Sequence, residues 1–319
     1  MAALRIGVLG INFLTADLQL REAIARGAES LADKRSLFFP HPTVLLSTCN
    51  RTEIYFASTD LPQAHGDLLA YLRNVIEEPF EHRLYSYFGI DCFAHLCKVT
   101  AGLDSAIFAE TEIQRQVKLA YSRSSQLISL PASLHYIFQK ALKVGKLIRT
   151  EQNLEKRAPI GLYGTLWNLT EWKNKKILLV GYSEINRGFA SFLHSKGIDQ
   201  FAFCTKALHL EGAYDRSILE HWQAFDVIVC ASKSEGYLIY GKGSQKNCIF
   251  DLSVPRNVDP EVGKSAILYN IDQLTQQEKN TNYLEEWESL IWQNVVKLTR
   301  LYHAKTRHAL EIVETESRL

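Results

Sequence analysis

Long apolar runs are missing from this 319-residue chain. None approaches the roughly 18 residues that cross a bilayer, so a soluble protein is expected. A charge of one sign is missing as well: 36 Lys and Arg stand against 35 Asp and Glu, a balance of +1. Any contact with nucleic acid must then come from a local patch rather than a bulk field. The six cysteines, at 49, 92, 97, 204, 230 and 248, contain no Cys-x-x-Cys pair and no regular spacing. That excludes a disulfide scaffold and fits reduced thiols in the cytoplasm, most of them packed as small hydrophobes. Repeats and low-complexity tracts are lacking, and the apolar start from Leu4 to Ile11 runs into Asn12 without a small-x-small cleavage site, so it reads as a strand rather than a signal. From Gln273 to Leu319 there is neither proline nor glycine. What is present is an ordinary globular mixture, 46% hydrophobic and 22% charged, in a chain long enough for two or three domains.

Periodicity divides the chain into an α/β multidomain protein. Residues 1 to 90 read as strand, helix, strand, strand, helix, strand: strands Leu4 to Gly10, Val44 to Thr48, Thr52 to Ala57 and Arg83 to Phe88, helices about Leu18 to Ala32 and Gln63 to Ile76. That order is the ferredoxin-like split βαβ unit. Helical periodicity follows to about Pro159, which marks a boundary because proline disfavours helix in the residue before it. After a short helix near residues 160 to 172, apolar strands at 175–181, 200–204, 226–231, 248–252 and 267–271 alternate with helical stretches, the pattern of a doubly wound parallel sheet. Leu284, Trp287, Leu290, Ile291, Val295, Leu298, Leu301 and Tyr302 then recur at helical spacing and predict one long helix or two shorter ones needing a partner surface. The expected division is residues 1–157, 158–272 and 273–319.

Three places carry chemistry. Cys49 sits between two strands in Ser47-Thr48-Cys49-Asn50-Arg51-Thr52-Glu53, where a guanidinium such as that of Arg51 favours the nucleophilic thiolate and turn amides can stabilise an oxyanion. Taken alone, a cysteine at a strand end is more often a packed small residue. His95 shares a helix face with Cys92 and Val99 and reads either as a core histidine or as a general acid or base. A zinc site of Cys92, His95 and Cys97 is rejected, since on a helix Cys97 points about 140° from Cys92 and about 200° from His95; no metal is expected. The third place is the turn Gly181-Tyr182-Ser183-Glu184-Ile185-Asn186, standing where a dinucleotide fold puts G-x-G-x-x-G but keeping only the first glycine. Thr205 and Lys206, after the next strand, offer an ammonium for a 2′-phosphate and no carboxylate for a ribose hydroxyl, which favours NADPH over NADH. A Rossmann-like domain that has lost its ligand is the competing reading. Lys140, Lys143, Lys146 and Arg149 spiral around a helix and read as a solvated face.

The run from Val44 to Tyr55 strongly resembles the active-site signature of glutamyl-tRNA reductases. The likeness continues in Ala101-Gly102-Leu103-Asp104-Ser105, in Gln114-x-Gln116-Val117-Lys118-x-Ala120-Tyr121, in Ala141 to Lys146 and in Val254-Pro255-Arg256-Asn257 to Gly263. The resemblance implies a cytoplasmic enzyme that reduces glutamyl-tRNA with NADPH, through a cysteinyl thioester, to glutamate-1-semialdehyde for tetrapyrrole and haem synthesis. It implies a catalytic domain, an NADPH-binding domain and a long spinal helix leading into a dimerisation region, which is expected to be short because the chain stops at Leu319. Carried over by position, Cys49 is the nucleophile and His95 the histidine implicated in activity. Thr48, Asn50, Arg51, Ser105, Glu110, Thr111, Glu112 and Gln116 form the substrate set, with Arg51 the partner of the glutamate carboxylate. Gly181 to Asn186, Thr205 and Lys206 hold the cofactor. Implied partners are glutamyl-tRNA, the downstream glutamate-1-semialdehyde aminomutase and a second copy of the chain through the C-terminal helix, with no membrane.

Two departures stand out. Ala109-Glu110-Thr111-Glu112 replaces the family's Gly-Glu-Pro-Gln, and a carboxylate at Glu112 repels substrate if it points inward. The degenerate cofactor turn motivates an alternative, a non-catalytic homologue that binds tRNA or a partner protein. A reductase of other acyl thioesters or aldehydes is a third reading.

Overall fold

Both faces of the first sheet's central strands are covered, which is why the first two strands in the chain read as largely apolar runs rather than as polar and apolar residues in alternation. The computed structural model describes residues 4–33, 39–105, 112–151, 162–206, 213–232, 234, 236–274 and 284–316. Strands β1 (Ile6–Asn12), β2 (Thr43–Ser47), β3 (Arg51–Ala57) and β4 (Tyr85–Phe88) form an antiparallel sheet in the order β2-β3-β1-β4, the ferredoxin-like arrangement. Leu9, Ile11, Leu45, Ile54 and Phe56 point to one face and pack on helices α1 (Leu18–Ala28) and α2 (Leu61–Arg73). These helices start where Asp17 and Asp60 accept backbone N–H bonds in their first turns. The first ends four residues short of the expected Ala32 because the chain tightens into a 3₁₀ turn, Glu29–Ala32.

Ile6, Val8, Val44, Leu46 and Tyr55 point to the opposite face and pack on α3 (Gly89–Ala101), α4 (Glu112–Leu127) and α5 (Ala132–Glu151). Helices α3 and α5 approach closely: a Cβ on Gly145 would lie 2.8 Å from the Thr100 carbonyl carbon, and the Thr100 hydroxyl donates to the Ala141 carbonyl at 2.9 Å. The same core takes in Trp287, Ile291 and Val295 from a single long helix, Leu284–Glu316, so part of the partner surface that helix requires lies within its own unit, while Leu301 of the expected stripe stays exposed. Lys98 pairs with Glu288 at 2.9 Å and the Tyr136 hydroxyl donates to the Leu298 carbonyl at 2.7 Å, fixing its register. The chain thus forms two compact units, residues 1–159 with 279–319, and residues 160–278.

In the second unit β5 (Ile177–Val180), β6 (Phe201–Cys204), β7 (Val227–Cys230), β8 (Cys248–Asp251) and β9 (Ile267–Asn270) are all parallel, in the order β6-β5-β7-β8-β9. Each lies within a few residues of its expected position. Helix α6 (Leu162–Leu169) precedes the sheet and α7 (Glu184–Ser195) follows β5. The chain leaves β5 for β6 on one side and returns to β7 on the other. That reversal opens a crevice at the carboxyl ends of β5 and β7, where sheets of this kind bind their ligands.

Candidate active site

Of the six cysteines, Cys49 alone is half-exposed; the others are buried, and burial pushes each of their thiols up. A thiol that stays protonated is a poor nucleophile, so exposure singles out Cys49. It sits on the turn joining β2 to β3, which Thr48 builds: its Oγ1 accepts from the backbone N–H of Asn50 and Arg51 at 3.1 and 3.2 Å, and its own N–H donates to the Arg51 carbonyl. Arg21, buried on α1, donates from Nη1 to the Cys49 carbonyl at 2.6 Å. The guanidinium that meets the residue bearing the thiol is therefore Arg21, which sequence reasoning missed.

The Arg51 side chain is fully buried and turns the other way. Its Nη1 donates to Glu53 Oε1 and to Asp104 Oδ2, both at 2.8 Å, and Nη2 donates to the Asp104 carbonyl. Glu53 is the hub. Besides Arg51 it accepts from the Tyr55 and Tyr85 hydroxyls at 2.6 Å each and from His95 Nε2 at 2.8 Å. Burial alone would push this carboxyl up, but the charges of His95 and Arg51 and the hydrogen bonds from His95 and Tyr55 outweigh it and hold the carboxyl well below the usual carboxylate range. Burial and the Glu53 charge push both tyrosines up, so they remain donors. Because the Glu53 carboxylate only accepts, His95 carries a proton on Nε2, and its ring is packed between Tyr85 and Tyr87.

Gly10 makes room for this cluster. It lies opposite both Glu53 and Tyr85, and a Cβ there would stand 2.7 Å from the Tyr85 ring and 2.9 Å from Glu53 Cγ. Glu53, His95 and Asp104 are spaced to share a metal ion. The position between the two carboxylates is held by the Arg51 guanidinium, whose charge already serves as their counter-ion.

Three of the remaining substrate residues are described. Ser105 is buried directly after Asp104, and Gln116 is half-buried on α4. Glu112 forms an ion pair with Arg115 one turn along the same helix, so its carboxylate already has a cationic partner. Glu110 and Thr111 lie outside the described residues.

In the second unit Gly181 ends β5 with φ +94°, and a Cβ on it would lie 2.6 Å from the Ala231 carbonyl and 2.7 Å from Ser232 Cβ. Only glycine fits there. Ser183, in place of a glycine, caps α7 by accepting from the Asn186 N–H at 3.2 Å. Asn186 is fully buried, and its Nδ2 donates at 2.9 Å to the carbonyls of Val180 and Gly181, tying α7 to the end of β5. The two missing glycines are thus replaced by residues that brace the turn. Tyr182 is exposed, with the Arg187 guanidinium 5.3 Å above its ring and Glu184 paired to Arg187 at 3.6 Å. The Ile185 carbonyl accepts from the Tyr163 hydroxyl. Thr205 and Lys206 follow β6, the first buried and the second exposed. A single-glycine turn at the switch point, ahead of a helix N-terminus, is where such folds receive the pyrophosphate of a dinucleotide.

Asp251, at the end of β8, is pushed up to about 6 by burial although three backbone N–H groups point at it. A carboxyl whose folded value lies above its ordinary 3.8 favours the fold while protonated. Its contribution is therefore complete below pH 3.8 and is lost as pH rises through about 6. Urea titrations should show the stability difference between wild type and Asp251→Asn shrinking by about 3 kcal/mol over that window. A difference independent of pH would contradict this assignment.

Comparisons with known proteins agree with this division. Residues 9–152 match the family described as glutamyl-tRNAGlu reductase, N-terminal domain, and residues 166–277 the family described as shikimate / quinate 5-dehydrogenase. A thiol-bearing α+β domain followed by a dehydrogenase-type parallel sheet defines an oxidoreductase that works with a nicotinamide cofactor. Among curated relatives, the glutamyl-tRNA reductase of Chlamydia abortus is 35% identical over 79% of this chain and 78% of its own length. That of Carboxydothermus hydrogenoformans is 30% identical over 89% of this chain and 70% of its own. The chain belongs to the glutamyl-tRNA reductase family. The solved glutamyl-tRNA reductase from Methanopyrus kandleri shares the fold, with a TM-score of 0.51 and 21% identity, over 96% of this chain and 82% of that one. Among the described residues no helix is long and apolar enough to cross a membrane.

Proposed function

We propose that the chain reduces the glutamyl ester of tRNAGlu to glutamate-1-semialdehyde, the first committed step of tetrapyrrole and haem synthesis by the C5 route, through a thioester on Cys49 and with NADPH as reductant. One observation carries the assignment of the substrate. On the two residues that follow Cys49, two buried polar atoms have no partner among the described residues: the donor Arg51 Nε and the acceptor Asn50 Oδ1. Buried polar groups are rarely left unpaired, and a bound ligand is one way to complete them. A glutamyl group brings a carboxylate to accept and an α-ammonium to donate. The Nε edge of Arg51 is the side of the guanidinium that Glu53 and Asp104 leave open.

The Cys49 thiolate attacks the ester carbonyl, the carbon–sulfur bond forms and the tRNA hydroxyl leaves. A reduced nicotinamide, held by the turn from Gly181 to Asn186, would supply the hydride that takes the thioester carbonyl to the aldehyde, with the carbon–sulfur bond broken and the Cys49 thiolate restored. His95, oriented by Glu53, is suited to deliver a proton to the departing oxygen. Thr48 shapes the turn; Ser105, Glu110, Thr111, Glu112 and Gln116 complete the substrate set. In this reading residues 1–157 do the acyl chemistry, and 158–272 hold the cofactor with Gly181 to Asn186. Thr205 and the exposed Lys206 read the 2′-phosphate, and 273–319 supply the spinal helix and a contact for a second copy. The reaction takes place in the cytoplasm, and the aldehyde, being reactive, passes to the aminomutase.

Mixing the protein with glutamyl-tRNA without reductant should place one glutamyl group on the Cys49 peptide, detected by mass spectrometry, and NADPH should discharge it as aldehyde faster than NADH. A Cys49 peptide that stays unmodified, with no aldehyde formed, overturns the proposal.

A further inference from the structure

The loop after β8 carries a hydrogen-bonded clamp that the acyl chemistry does not use. Asn257 is fully buried, and its Oδ1 accepts from the Ser232 hydroxyl at 2.6 Å and from the Ser253 hydroxyl at 2.9 Å. Ser253 Oγ in turn accepts from the Ser232 N–H at 3.2 Å. Behind Asn257 stands Asp251, whose Oδ2 accepts the N–H groups of Asn257 and Val258 at 2.9 Å each and whose Oδ1 accepts that of Ser253 at 3.1 Å. The Asn257 carbonyl receives the N–H of Ile239 at 3.1 Å, so one residue joins the loops after β7 and β8. The outer end of the clamp, Ser232, is together with the Ala231 carbonyl what a Cβ on Gly181 would strike, at 2.7 and 2.6 Å. The chain of contacts therefore runs from a buried carboxylate, through Asn257 and Ser232, to the glycine turn at the switch point.

Backbone approach to a pyrophosphate leaves no tolerance for a wall that drifts, since a misplacement of about 1 Å costs orders of magnitude in a positioned reaction. We infer that Asn257 is a positioning residue for the dinucleotide: by fixing Ser232 against Gly181 it sets the width of the crevice into which the cofactor's phosphates enter. This rests on the reading of that crevice as the cofactor site. It also accounts for a polar residue at full burial with both of its acceptors in use, where an apolar residue would close the core at lower cost.

The test is the dissociation constant of NADPH, followed by tryptophan fluorescence or calorimetry on the full chain without tRNA, beside a thermal melt. Asn257→Ala should weaken binding about tenfold, equivalent to about 1.4 kcal/mol, and Ser232→Ala should weaken it severalfold with little change in melting temperature. Glutamyl transfer to Cys49, assayed without cofactor, should be unchanged in both. Wild-type affinity in both variants overturns the inference, including the case in which Asn257→Ala only melts earlier. Should Asn257→Ala fail to fold, Ser232→Ala decides by the same criterion. If wild type binds neither NADPH nor NADH, the cofactor reading falls and the inference with it, an outcome distinct from unchanged affinity in the variants.

Discussion

Cys49→Ser is expected to abolish aldehyde formation from glutamyl-tRNA, by on the order of 10³-fold or more, with the fold intact. Serine is nearly isosteric, and the turn that carries it is built by Thr48 and anchored by Arg21 through backbone atoms that the change does not touch. A serine alkoxide is far harder to form near neutrality than a thiolate, and an ester in place of the thioester is a poorer hydride acceptor. The measurement pairs single-turnover aldehyde production with circular dichroism and a thermal melt. Turnover within a few-fold of wild type would remove the thioester from the mechanism. The other five cysteines give an internal control: being buried, they should resist alkylation under conditions that label Cys49.

Glu53→Gln should cost the first unit more than any other single change at the site. The glutamate accepts from Arg51, Tyr55, Tyr85 and His95 at once, and an amide presents a donor to part of that ring of donors. Arg51 would keep Asp104 but lose the partner buried with it. Breaking a buried pair from one side typically costs about 3 to 5 kcal/mol. Urea unfolding should show a loss of that order, and kcat should fall steeply because His95 is no longer held with Nε2 as donor. The sign with pH follows from the lowered carboxyl: the stabilisation is present above the ordinary value of 4.5 and drains away as pH falls toward the folded-state value, so wild type and variant converge in acid. A variant as stable as wild type at pH 7 would mean the cluster is not the keystone described here. His95→Asn serves as comparison, lowering kcat with a smaller loss of stability.

The strand and helix order was legible because hydrophobic period and turn residues act locally: Pro40 and Pro42 precede β2, Asp17 and Asp60 start helices, and Gly102 ends α3 in the left-handed region. Cys49 and His95 could be singled out for the same reason, from a reactive side chain on a turn and a titratable one on a helix. What linked them could not. Glu53 stood in the motif without a role, although a glutamate inside the strand Thr52-Glu53-Ile54-Tyr55 is itself a signal, since an unpaired carboxylate is almost never buried. Tyr85, Asp104 and Arg21 come from distant parts of the chain and meet the motif only through the sheet order and helix packing. Asn186 was harder still. By composition it looked like a lost glycine; in the fold it is a tether, which only the positions of the Val180 and Gly181 carbonyls reveal.

Trp287, Ile291 and Val295 have a consequence for biosynthesis. They belong to the core over the nucleophile's sheet, yet they are translated after the whole parallel-sheet unit. The ribosome therefore delivers the first unit with one side bare, and the intervening unit can fold while that side waits. A chain arrested near residue 278 would carry a finished second unit and a first unit whose greasy flank stays open to chaperones and proteases. Only chains translated past Val295 can therefore cover that side of the first unit.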